Sequence, residues 1–452
     1  LYPLTFLGLR ALLALGWIGT SEGWLRLPFA CVGIASVPIM ALAGRRLVGA
    51  WPALLAAGFI AIDPWHEFWS QNARGYVLAF TFAAVAANRA QAWVETHRTR
   101  DFVAAFVAIV LGTACHSTAA LQVAGLAAFF WLQRMAPTDR RSWIRLAGIV
   151  VGLVLVLPWL VSHFAFFQGF IAAKSDPSLM HFVQTAGFYF RPLVLLVALA
   201  GLWFAARDLD RDRTLLLACL FVVPFFVLFV IGGQLVKVTA RYAFCVLPIV
   251  AWLAAFACVR LAQALTSGSH GNVWTRRAAA AVLPMLLVAD YGVNMYAYHE
   301  VQHGQRAEWR AACDFVRSSA SAKGVRVLTI NDPTLHYYLR PKHWSVSKAN
   351  PYPTINVQTL LSWNIDRQDP EDKEKLPHAP GGEAHLAWHV KLAREAGVPF
   401  LVMVTLPELG YEDWQDGSVW RTLQRDYRIV LHLPCWVGPK DESIYIFVPK
   451  EG

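Results

Sequence analysis

The chain has 452 residues, 56% of them hydrophobic and 15% charged, with a mean hydropathy of +0.42, whereas soluble domains carry roughly 25% charged residues. This composition excludes an ordinary soluble protein, a disordered chain and a disulfide scaffold. The net charge of +10 suggests a nucleic-acid binder, but residues 1–300 hold 22 Lys and Arg against 12 Asp and Glu and residues 301–452 hold 18 of each, so the excess lies in the apolar part, beside a bilayer.

The sequence opens on Leu1, Tyr2, Pro3 and Leu4, with neither Met nor a basic leader, which reads as the start of a fragment rather than a signal peptide. Residues 3–19 predict a short apolar helix carrying Arg10. Runs of about 20 apolar residues, the length that crosses a bilayer core, then follow near 27–44, 49–66, 75–95, 101–115, 117–134, 143–163, 189–206, 213–233, 241–263 and 277–297. Ten spans result, although 101–134 is tight enough to read also as one bent hairpin. Their loops alternate in charge. One set carries fifteen arginines (Arg45, Arg46, Arg89, Arg213 and Arg260 among them) and the other six cations: Arg26, Arg74, Lys174, Arg191, Lys237 and Arg241. The positive-inside rule makes the rich set cytoplasmic.

Beyond residue 300 the pattern changes to a soluble domain, 301–452, on the opposite, non-cytoplasmic side. A helix over Arg306 to Ser319 precedes a β-rich run Val325 to Ile330. A helix near 384–396 with Gly397 at its C′ position, a strand Phe400 to Thr405, a helix near 417–426 and strands Arg428 to Leu433 and Ser443 to Val448 complete it. Helices alternating with β-branched runs argue an α/β layered domain, with residues 365–383 a loop. No phosphate-binding glycine motif and no hydrolase elbow occurs. Of seven cysteines, Cys31, Cys115, Cys219, Cys245 and Cys258 lie in apolar segments and read as buried thiols. Cys313 and Cys435 are the pair available to a disulfide in an oxidising compartment.

Polar residues crowd the segment from Asp63 to Tyr76, between two spans on the outer side. Gln71, Arg74 and Tyr76 at the mouth of a helix combine a cation with amide and phenol donors, which suits a phosphate group. An interfacial belt, with Trp65, Trp69 and Tyr76 at headgroup depth and Arg74 reaching to water, explains the same residues. Asp63 and Glu67 are the nearby carboxylates; the first precedes Pro64 at a helix end and the second has Arg74 as its natural partner. Lys237 and Arg241 are the other outer cations near a helix end, where free N–H groups favour anions. His116 sits at a bend, as a metal ligand, an acceptor contact or a hydrogen-bonded structural histidine. Asp290, inside the last span, demands a partner on a neighbouring helix. His181 and Lys174 lie in the long outer loop.

The run Ser70, Gln71, Asn72, Ala73, Arg74, Gly75, Tyr76 resembles the S-Q-x-A-R-x-Y signature of the bacterial relatives of protein O-mannosyltransferases, which are GT-C glycosyltransferases using lipid-linked sugars, a group that includes the aminoarabinose transferases. Leu1 to Leu4 resembles the tail of that family's P-P-L-Y helix and Ser21 to Pro28 its loop ending R-L-P. Gly44, Arg45, Arg46 and Leu47 resemble its G-R-R-L turn, Thr113 to His116 its T-x-x-H bend, and Arg241, Tyr242 through Pro248 its R-Y-x-x-x-x-x-P helix entry. The resemblance covers residues 1 to about 300. It implies a GT-C membrane bundle with residues 3–19 as a juxtamembrane helix, capped by a periplasmic α/β domain. The implied activity is transfer of a sugar from a polyprenyl-phosphate donor to a hydroxyl of a lipid, glycan or protein, in the bacterial inner membrane. On this reading Arg74, Gln71, Tyr76, Lys237 and Arg241 hold the donor phosphate, His116 and Arg26 face the acceptor, and Asp63 and Glu67 are the acidic candidates. A divalent metal is possible, and the C-terminal domain shapes acceptor access. The sequence departs from the family in lacking the acidic outer loop that precedes the P-P-L-Y helix and supplies the catalytic base. A transporter or flippase of lipid-linked sugars, which calls for paired broken helices, and an inactive membrane scaffold are the competing readings.

Overall fold

The computed structural model describes residues 3–133, 178–234, 238–267, 273–302, 304, 307–329, 332–339, 355–359, 382–405, 418–437 and 440–450. The chain divides into two compact units, Leu1–Tyr298 and His299–Gly452.

The first unit is helical. Its elements are α1 (Pro3–Ala14), α2 (Glu22–Val48), α3 (Ala50–Ala61), α4 (Pro64–Ser70), α5 (Tyr76–Thr96), α6 (Thr99–Cys115), a 3₁₀ turn (Ser117–Ala119), α7 (Ala120–Leu132), α8 (Leu179–Phe190), α9 (Pro192–Asp208), α10 (Arg211–Gln234), a 3₁₀ turn (Ala240–Val246), α11 (Leu247–Thr266) and α12 (Val273–Tyr296). Helices occupy nine of the ten expected spans; the tenth, 143–163, lies outside the described residues. Crossing length is rarer than helicity. Among the described residues four helices are long and apolar enough to cross a bilayer, or five if α8 and α9, bent by 85° at Arg191, count as one broken span. The physical reason is local. α3 stops at Ala61 because Pro64 disfavours helical geometry at the residue before it, and Asp63 is extended at φ −87°, ψ 115°. α1 ends at Ala14 rather than 19, and its Thr5 hydroxyl donates to the Cys115 carbonyl at 2.9 Å, which ties it to the end of α6.

The bundle is built around α11, whose residues Leu247 to Cys258 are all buried. α9 packs so closely on it that a Cβ at Gly201 would overlap the carbonyl oxygen of Leu253, the small-residue contact that lets membrane helices approach. At one end of the unit, Glu95 receives both Arg46 of α2 (3.4 Å) and Arg213 of α10 (3.2 Å), Arg89 meets Asp101, and Arg260 meets Asp208. These arginines all come from the cation-rich loop set.

The second unit is a five-stranded sheet of order β2-β1-β3-β7-β4, with β5 (Trp436–Val437) and β6 (Lys440–Asp441) as a separate antiparallel pair. β1 (Val325–Thr329), β2 (Ile355–Thr359) and β3 (Phe400–Thr405) run parallel, while β7 (Ile444–Pro449) is antiparallel to both β3 and β4 (Tyr427–Leu433). Helices cover both faces. α13 (Trp309–Ser318) and α14 (Asp332–Leu339) bury Cys313, Val316 and Leu335 with Val327, Leu401, Met403 and Ile446. α15 (Gly382–Ala396) and α16 (Ser418–Asp426) bury Leu386 and Leu423 with Leu328, Val402, Val404 and Phe447. Alternate residues of one strand thus serve opposite layers, and β3 is buried at every position, as a central strand covered on both faces must be. Gly397 takes the left-handed φ of +65° after α15. α14, β2 and the β5–β6 pair were not expected from the sequence.

The cysteines correct one expectation. Cys31 is exposed rather than buried; Cys313 and Cys435, whose pairing the sequence leaves open, are free thiols, each raised to about 12 by burial. The backbone N–H of Cys435 donates to Ser443 Oγ at 2.9 Å.

Candidate active site

α4 organises the site. Pro64 opens it at the position where a missing N–H costs nothing, and Asp63 caps it, accepting from the N–H groups of Trp65 (2.7 Å) and His66 (3.0 Å). The Asp63 carboxyl is buried. His66 points back to α2, with Nε2 2.9 Å from Ser36 Oγ.

Trp65 and Trp69, four residues apart, share one face of α4. Trp65 meets Tyr189, Phe190 and Phe244 at ring separations of 4.7, 4.9 and 4.8 Å. Trp69 stacks on Tyr76 at 3.7 Å, and Tyr76 lies 3.6 Å from the His116 ring. This column of indole, phenol and imidazole is buried throughout: Trp65, Trp69 and Tyr76 are 6%, 3% and 2% exposed. The interfacial-belt reading of these three rings therefore fails, because a belt residue keeps its polar edge in water. Gly75 makes the turn into α5 possible, since a Cβ there would collide with the Cys115 carbonyl and the Thr5 hydroxyl.

The cations gather beside the column. Arg74 is exposed, and among the described residues it makes no ion pair. Arg241 lies in the 3₁₀ turn ahead of α11, not at the first turn of the helix as expected. Its guanidinium is 5.3 Å from the Tyr242 ring and interacts with the phenols of Tyr76 and Tyr189, while its buried Nε has no hydrogen-bond partner among the described residues. His116 donates to or accepts from Thr118 Oγ1 at 2.8 Å through Nδ1. Burial, then the charges of Arg74 and Arg241, push its pKa well below the ordinary histidine value, so the imidazole beside two guanidiniums is neutral. Arg74, Tyr76, His116 and Arg241 thus form one electrostatic neighbourhood.

The remaining candidates scatter. Glu67 accepts from Gln71 Nε2 at 2.7 Å; its expected pairing with Arg74 does not form. Arg26 pairs with Glu22 one helical turn away. Lys237 and Lys174 lie outside the described residues, and His181 sits in the first turn of α8, where its N–H is capped by Ser178. Asp290 finds the partner its burial demands: Arg191 donates through Nε and Nη2 at 2.5 and 2.9 Å. Arg191 was read from the sequence only as an outer cation. It is a left-handed residue, φ +65°, at the break between α8 and α9, and this two-pronged bond locks the break to α12. Among the described residues no group of three or more His, Cys, Asp or Glu is placed to hold a metal.

Residues 3–161 match the model of the dolichyl-phosphate-mannose-protein mannosyltransferase family. ArnT from Cupriavidus metallidurans in the apo state is 16% identical, with a TM-score of 0.51 over 93% of this chain and 83% of its own. The fold is GT-C-like, shared with ArnT. Another similar GT-C structure is AglB, the oligosaccharyltransferase of Archaeoglobus fulgidus. With an inhibitory peptide and a dolichol-phosphate it is 12% identical, with a TM-score of 0.52 over 95% of this chain; an Archaeoglobus fulgidus oligosaccharyltransferase in the apo form is 12% identical, with a TM-score of 0.55 over 90%. The chain spans 65% and 62% of those two chains. Curated protein sequences contain no match to it.

Proposed function

We propose that the protein transfers a sugar from a polyprenyl-phosphate donor to a hydroxyl acceptor, at the outer end of a multi-pass bundle in the bacterial inner membrane. Residues 301–452 then stand on the periplasmic side, and the expected set of about ten spans includes the shorter helices and 143–163. The observation that carries the reading is the pairing of an exposed Arg74 with a half-buried Arg241 beside the Trp69–Tyr76–His116 column. Two guanidiniums with a neutral imidazole are a site for anionic charge, and rings around them suit the apolar part of a lipid phosphate. The mannosyltransferase family match and the dolichol-phosphate held by AglB support the donor class.

The reaction needs two services. The acceptor oxygen attacks C1 of the sugar, the bond from C1 to the phosphate oxygen breaks, and the phosphate leaves with the electron pair. Arg74 and Arg241 stabilise that growing charge, with Gln71, Tyr76 and Lys237 as further donors. The acceptor proton passes to a carboxylate. Asp63 gives Oδ1 alone to the α4 cap, so Asp63 and Glu67 are the α4 carboxylates for that role; Arg26 and His116 would serve the acceptor.

The test is turnover per folded molecule with a lipid-linked donor in bilayer nanodiscs. Arg74→Ala should lower transfer by roughly 30- to 1000-fold, the effect of removing one charge-assisted contact to a developing anion, while yield and melting stay as in the parent. Full activity in Arg74→Ala would end the phosphate assignment.

A further inference from the structure

At the end of the bundle away from that site, α2 and α5 lie side by side, tied by a 2.9 Å hydrogen bond from Asn88 to the carbonyl of Ala43. An open groove of 540 Å³ runs between them. Its walls are Ile39, Leu42 and Val85, and its floor carries Arg45, Arg46 and Arg89. Leu42 is 63% exposed, so the apolar wall faces outward.

The charges around the floor do not cancel. Arg46 and Arg213 share Glu95, Arg213 also reaches Asp210 at 3.0 Å, and Arg89 meets Asp101 at 3.2 Å. Four guanidiniums with Arg45 included thus face three carboxylates. Arg45 is exposed and in no ion pair among the described residues. One positive charge remains, at the end of an apolar channel.

We propose that this groove binds one anionic phospholipid of the surrounding leaflet, with its phosphate on Arg45 and an acyl chain along Ile39, Leu42 and Val85. Charge complementarity selects the occupant. A single uncompensated guanidinium matches a headgroup of net charge −1, and a zwitterionic headgroup brings its own cation to the same place. The wall requires a chain, which inorganic phosphate lacks. The arginine-rich loops also belong to the face where anionic lipid concentrates.

The whole protein, stripped of lipid in detergent, is titrated with phosphatidylglycerol or phosphatidylcholine of equal chain length, and bound lipid is counted by native mass spectrometry. The parent should prefer phosphatidylglycerol by roughly 5-fold, the effect of about one basic contact at a membrane surface. Arg45→Gln should erase that preference with no change in melting temperature, and Arg98→Gln, an exposed arginine outside the groove, should keep it. Excess inorganic phosphate should leave the bound lipid in place. Equal preference in Arg45→Gln and parent, loss of preference in both variants alike, or displacement of lipid by phosphate would each overturn the proposal.

Discussion

Tyr76 is held between an indole and an imidazole, and its neighbour two positions back, Arg74, is left in the open. That contrast separates a residue that shapes a site from one that meets a ligand. Arg74→Lys keeps the charge but loses the planar fork that matches two phosphate oxygens, so it should recover only part of the activity that Arg74→Ala loses. An arginine that merely anchors in headgroups would be replaced by lysine at no loss. Glu67→Gln should lower the rate constant for transfer while leaving donor binding unchanged, because the amide cannot take a proton; unaltered turnover would remove Glu67 from the chemistry.

At the scale of elements, the joint between α8 and α9 carries the most weight. Arg191 adopts a backbone conformation that a bulky residue takes reluctantly, and what holds it there is the two-pronged bond to Asp290 on α12. α8 in turn presents Tyr189 and Phe190 to Trp65, and the Thr185 hydroxyl accepts from the N–H of Ala240, next to Arg241. The pair therefore positions α8 and, through it, the turn that carries Arg241. Arg191→Ala should leave an unpaired, half-buried carboxylate and destabilise by about 1 to 3 kcal/mol; Arg191→Ala with Asp290→Asn should recover most of that stability but keep a raised donor KM. If the double variant restores both, the pair is structural only.

These contacts also mark where sequence reasoning stops. The hydrophobic runs told where helices lie, because apolar length is a local property, and the S-Q-x-A-R-x-Y run singled out α4 and its flanks. Two features were out of reach. Trp65 and Trp69 look alike whether they face lipid or a neighbouring helix, and only the packing of α8 and the Ala240–Val246 turn decides it. Arg191 and Asp290 are 99 positions apart, so no spacing rule joins them. The break between α3 and α4, by contrast, was legible in Asp63 and Pro64, although the apolar run 49–66 carries across it. In the second unit, the strands found from sequence are those with unbroken β-branched runs, whereas β2, Ile355–Thr359, alternates with Asn356 and Gln358 and lacks that signal.

For the whole molecule, the loop charges make a definite statement about sidedness. In a variant with the exposed Cys31 replaced by Ser, the other native thiols are buried and new cysteines can be read separately. An impermeant thiol reagent added to the periplasmic side should label Glu395→Cys and spare Arg98→Cys, both at exposed positions. The opposite pattern would invert the topology.

The burial of α11 has a further consequence, for how the chain tolerates change. By hydropathy α11 and α12 both qualify as spans, yet 89% of the first is enclosed by protein and only 11% of the second. A translocation channel, which senses greasiness alone, treats the two as equals. Natural drift cannot. At the exposed positions of α12 one aliphatic residue replaces another at little loss, since no protein neighbour among the described residues meets it. Along α11 every added methylene must displace a neighbour, as overpacking of a close-packed interior costs about 1 to 3 kcal/mol. Ala251→Leu, although it makes the segment greasier, should therefore lower folded yield, while Ala279→Leu should pass unnoticed, so that α11 is a transmembrane helix governed by the rules of a soluble core.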